Sequence, residues 1–186
     1  LLANNDATAK AIGDKLLKDS EDRIAEQRPR EASTEPQLSA EAMIRAGMRL
    51  ARTDTVECGI EALRWIIDRQ TGPSGHFRPI GSDSFGHDYE APRPFDQQPV
   101  EVWAAIDACA AAYDATGKPF WSDNARRAYD WFAGANDRGI AVGDPRSGAC
   151  HDGINPRGLN LNEGAESVLA YQLATCAMRD FLAKTA

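Results

Sequence analysis

The sequence predicts an all-α protein, with α-hairpin repeats forming part of an α/α toroid and about three helix pairs within 186 residues. Three observations predict this. Apolar residues recur at helical spacing in six segments, and no segment alternates convincingly as a strand would. Half-polar and wholly apolar helices take turns along the chain, the pattern of an outer layer around an inner one. The arrangement also repeats. Trp65 and Trp131 stand 66 residues apart, each late in an outer helix, and Glu101 and Glu166 stand 65 apart, each early in an inner one. Glu41, 60 residues before Glu101, holds a comparable place in the second helix. Helix pairs of one repeat length suggest a toroid or a solenoid.

The first helix is expected from about Asn5 to Gln27, with Ala7, Ala11, Ile12, Leu16, Leu17 and Ile24 on its apolar stripe. A polar break follows from Arg28 to Pro36. Thr34 and Gln37 offer a capping box for a second helix reaching about Arg52. Asp54 and Glu57 offer another for the third, which ends near Thr71 and Gly72. Its polar stripe, Glu57, Glu61, Arg64 and Asp68, opposes Val56, Ile60, Leu63 and Ile67. The fourth helix is expected from about Asp96 to Ala115, with Pro99 tolerated in its first turn. The fifth runs from Lys118 to Ala135, with Asp123, Arg126, Arg127 and Asp130 opposite Ala125, Ala128, Tyr129 and Phe132. The sixth takes Asn162 to about Lys184. The fourth (Val102, Trp103, Ile106, Cys109) and the sixth (Leu169, Tyr171, Leu173, Cys176) are apolar almost all round, which predicts burial.

Composition narrows the function classes. The length suits a single domain spanning 1–186. The formal charge is −7, and no Lys/Arg cluster is present to neutralise phosphates, which argues against nucleic acid and anionic membranes. No apolar run approaches the roughly 20 residues of a membrane span. The four cysteines are scattered without a CxxC pair, so the expected compartment is reducing and cytoplasmic. The chain begins with Leu, and it is expected to be a fragment of a longer protein.

Two long loops precede the two apolar helices and should gather at one end of the fold. The first carries Gly75-His76-Phe77-Arg78-Pro79, Phe85-Gly86-His87 and Pro94-Phe95-Asp96-Gln97-Gln98-Pro99-Val100-Glu101. The second carries Gly148-Ala149-Cys150-His151-Asp152-Gly153 and Asn160-Leu161-Asn162-Glu163-Gly164-Ala165-Glu166. Carboxylates, carboxamides, His and Arg can bind sugar hydroxyls in pairs, and Phe77, Phe85, Tyr89, Phe95 and Trp103 offer flat faces. Two carboxylates across a pocket are the minimum for breaking a glycosidic bond. Asp96, Glu101, Asp152, Glu163 and Glu166 are the candidates, although Asp96 and Asn162 could equally be N-caps. Glu101 and Glu166 could likewise serve free amides in a first turn. A metal site from His76, His87, His151 and Asp152 matches no compact ligand spacing, so no metal and no cofactor is expected. Cys150 and His151, as sequence neighbours, make a poor nucleophile and base.

The stretches GHFRPIGSDSFG, PFDQQPVEVWAAIDACAAAY and GACHDGINPRGLNLNEGAESVLAYQLA resemble the C-terminal α-helical region of certain bacterial glycosyltransferase-type proteins. That region falls in the six-hairpin, (α/α)6-toroid glycosidase-like superfamily. The resemblance covers about Ala42 to Arg179 and is specific in PFDQQPVE and NEGAES. It departs from the family where Leu161 replaces an acid and Glu163 an amide, and where Arg28 to Glu35 replaces an aromatic, acidic segment. The resemblance implies a toroid and a carbohydrate ligand. On this reading Asp96 and Glu101 face Asp152 and Glu166 as catalytic groups. His76, Phe77, Arg78, Phe95, Gln97, Gln98, Trp103, His151, Asn160, Asn162 and Glu163 contact the sugar. The expected partners are a carbohydrate and an upstream transferase domain or the other half of the toroid. A non-catalytic carbohydrate-binding module and an α-hairpin protein scaffold are the alternatives.

Overall fold

The computed structural model describes residues 35–84 and 92–185, together with positions 11, 14, 15, 18, 19 and 22. The expected first helix and the Thr34 cap fall outside these, apart from those six positions, which are helical.

Helix α1 (Glu35–Leu50) and helix α2 (Thr53–Arg69) form a hairpin joined by two residues. Ala51 turns the chain in the left-handed region at φ 52°. Arg52 N–H then donates to Gly47 O at 2.8 Å and Ala51 N–H to Met48 O, a paired closure that satisfies the carbonyls of the last turn. The capping box expected of Asp54 and Glu57 is not formed. Arg52 is the N-cap and offers no side-chain cap, and Asp54 instead binds the Arg52 guanidinium at 2.9 Å. The short link forces this, because it starts the helix one residue before Asp54. Gly59 lies against α1 so closely that a Cβ would sit 2.8 Å from Ile44 Cγ1 and 3.0 Å from Ala40 O.

Helix α3 (Pro99–Thr116) and helix α4 (Pro119–Asp130) form the second hairpin, turned at Gly117 with φ 63°. Helix α5 (Ala165–Thr185) follows the second long loop. The expected exposed face of α2 and the expected burial of α3 are both found. Glu57, Glu61, Arg64 and Asp68 are exposed on α2, and α3 buries Val102, Ala104, Ala105, Ile106, Ala108, Cys109, Ala111 and Ala112. These small residues let α1, α4 and α5 all pack on α3. Tyr113 meets Phe181 edge-on at 5.1 Å and Asp114 meets Lys184 at 3.0 Å, so α3 and α5 run the same way. Helix α1 also runs with α3, since α2 returns along α1 and its end, at Gln70, adjoins Glu101 at the start of α3.

Several boundaries differ from expectation, each for a local reason. Helix α3 begins at Pro99 rather than Asp96 because Gln97 is drawn into a β-bridge with Ile154. Helix α4 stops at Asp130, where Asn136 caps the chain by donating to Trp131 O at 2.9 Å and Ile140 O at 2.8 Å. A two-stranded antiparallel hairpin, β1 (Gly153–Asn155) and β2 (Gly158–Asn160), stands where no strand was expected. Three-residue strands are too short to show alternation, and the turn is set by Asn155 Oδ1 accepting from Arg157 N–H at 2.8 Å. Helix α5 is not buried all round: Leu169 is 60% and Leu173 45% exposed. Among the described residues its main packing partners are α3 and α4. No described helix is long and apolar enough to cross a membrane.

A left-handed backbone costs a residue with a Cβ about 1–2 kcal/mol, partly offset by the entropy that glycine loses on folding. Ala51→Gly should therefore stabilise the protein by about 0.5–1 kcal/mol, read as a higher denaturation midpoint.

Candidate functional site

The two long loops meet where Gln97 pairs with Ile154. Gln97 N–H donates to Ile154 O at 2.9 Å and Ile154 N–H to Gln97 O at 3.0 Å. The approach requires glycine beside it. Gly153 has φ 136°, and a Cβ there would lie 2.0 Å from Gln97 O.

The Gln97 side chain extends this junction inward. It is fully buried, accepts from Trp131 Nε1 at 2.8 Å, and donates to Pro94 O at 2.8 Å and to Asp137 Oδ2. Asp137 is the hub. Arg78 donates to both of its oxygens, with Nε at 2.7 Å, and His76 Nε2 lies 3.2 Å from Oδ1. Burial pushes the Asp137 carboxyl up, but donation from Arg78 and Gln97 outweighs it and holds the group below its usual range. Thus His76, Arg78 and Gln97 do come together, around a residue that the sequence reading did not single out. Asp137 sits between Asn136 and Arg138 in a polar loop, and no local pattern marks it. Arg127 fixes the first loop from α4, donating to Thr71 Oγ1 at 2.8 Å and Gly75 O at 3.3 Å.

The four predicted catalytic carboxylates occupy different environments. Glu101 is 1% exposed and accepts the Ile80 N–H at 2.9 Å, which clips the first loop to α3. Burial pushes its carboxyl up to about 8, opposed by the Ile80 amide and by Gln70. Asp152 accepts from Asn162 Nδ2 and, at 2.7 Å, from Gly164 N–H. It thereby gives the start of α5 the cap expected of Asn162, and its carboxyl is held low by those bonds. Asp96 is half-buried, and burial and then Asp83 raise its carboxyl. Glu166 is exposed in the first turn of α5.

The remaining candidates divide similarly. Phe77 is buried under the Arg127 guanidinium, 5.8 Å away. Phe95 is half-buried beneath Arg138 at 5.0 Å, and Gln98 is the N-cap of α3. Trp103 is half-buried on α3 beside Asp107, whose carboxyl burial and Glu41 raise to about 6. Asn160 and Asn162 are exposed at the end of the β-hairpin. Phe85, His87 and Tyr89 lie outside the described residues. Cys150 is buried and its thiol pushed up to about 12 by burial, so it carries no thiolate beside His151. Among the described residues no cluster of His, Cys, Asp or Glu is arranged to hold a metal.

Next to the junction the second loop folds back on itself. His151 N–H donates to Val142 O at 3.0 Å and Asp144 N–H to Ala149 O at 2.9 Å. The result is an open cleft of about 310 Å³ lined by Ala141, Val142, Gly143, Asp144, Pro145, Ala149, His151 and Glu163. His151 Nδ1 faces Glu163 Oε1 at 3.6 Å. Neither protein-family profiles nor curated proteins give a match to this chain.

Two outcomes follow from these environments. The folded chain holds the Glu101 proton to about pH 8, whereas the unfolded chain releases it near the ordinary 4.5. Stability from this group therefore falls as pH rises between those values, by up to about 1.4 kcal/mol per pH unit. Glu101→Gln, which keeps an acceptor for Ile80, should flatten that slope and exceed the parent in stability at pH 8 in urea titrations. Asp137→Asn leaves the half-buried Arg78 without its paired anion and should cost about 1–3 kcal/mol in chemical denaturation. The loss should shrink as pH falls through the depressed Asp137 value, where the parent's own carboxylate is protonated.

Proposed function

We propose that this chain is a carbohydrate-binding helical domain of the glycosyltransferase- and glycosidase-like kind, an arc of α-hairpins that holds a sugar on its loop face. The observation that carries the reading is the junction at Gln97 and Ile154. It puts both chemistry-bearing loops on one face and leaves beside it a cleft with an apolar floor and a few polar groups, the general form of a small-molecule site. The parallel course of α1, α3 and α5, with α2 and α4 returning outside them, supports an inner and an outer layer, as half of a six-hairpin ring would have. The missing half, or an upstream transferase domain, would then be its protein partner. The four cysteines form no disulfide among the described residues, which suits a reducing cytoplasm.

Binding is favoured over catalysis by the chain itself. A glycosidic bond needs two carboxylates open to one pocket. Glu101 is closed away and Asp152 is committed to capping α5, which leaves Asp96, Glu163 and Glu166 with room to act, and of these only Glu163 lines the cleft.

A library of neutral and charged oligosaccharides screened by thermal shift tests the reading. At least one saccharide should raise Tm, with the shift removed in His151→Ala. A screen without a hit overturns the proposal. Product analysis on any hit separates the two forms of the reading. Turnover lost in Asp96→Asn or Glu166→Gln assigns the chemistry here, and ligand recovered intact makes the chain a binding module.

A further inference from the structure

We draw no further inference here: the strongest candidate, the exposed apolar stripe of Leu169, Leu173 and Cys176 along α5, carries nothing because nothing in the structure shows what covers it.

Discussion

The buried carboxamide of Gln97 is the interaction on which the rest of the loop face depends. Its backbone pairs with Ile154 in the second loop, and its side chain bridges Trp131 at the end of α4 and Asp137 beyond it. A carboxamide can donate and accept at once, which neither a carboxylate nor an ammonium can do. Glutamine is therefore the residue type that can meet an indole N–H with its oxygen and a carboxylate with its nitrogen. A buried polar group left without partners costs about 1–3 kcal/mol, so each partner is held as firmly by Gln97 as Gln97 is by it. The second loop cannot leave the first without exposing several such groups together.

This arrangement divides the polar residues of the loops into two populations. His76, Arg78, Gln97, Glu101 and Asp152 are used internally to hold loops to each other and to helices. Asp144, Glu163 and Glu166 are exposed, and His151 is half-buried beside them. On the proposed reading, binding chemistry falls to the second population, and its geometry is set by the first. On that reading the ligand-facing groups are few and sit on a loop closed by its own backbone bonds, which favours a site largely formed before a ligand arrives.

Much of the scaffold was legible in the sequence, because helical periodicity is local. The exposed stripe Glu57, Glu61, Arg64 and Asp68 and the buried run from Val102 to Ala112 both emerge from spacing alone. The apolar composition of α5 misled in one respect, since burial depends on neighbours, and the described ones leave Leu169 and Leu173 exposed. Cap positions were misread wherever a distant residue intervened: Asp152 takes the role expected of Asn162, and Ile154 pulls Gln97 out of α3. Asp137 was missed for the same reason. Its importance comes from Arg78 and Gln97, 59 and 40 residues away, and no window along the chain contains all three. The grouping of His76, Arg78 and Gln97 could be anticipated, but their common anchor could not.

The Glu101 clip gives the folding reaction a chemical stoichiometry. Near neutral pH an unfolded chain carries this carboxyl ionised, and the native chain carries it protonated, bonded to Ile80 and beside a Gln70 carboxamide that otherwise lacks a partner among the described residues. The protonated carboxyl adds an O–H donor that can serve that carboxamide. Closing the first loop onto α3 thus captures a proton from the buffer. The heat of folding will accordingly include the buffer's own ionisation heat, and two buffers at one pH will yield different calorimetric enthalpies for the same structural change.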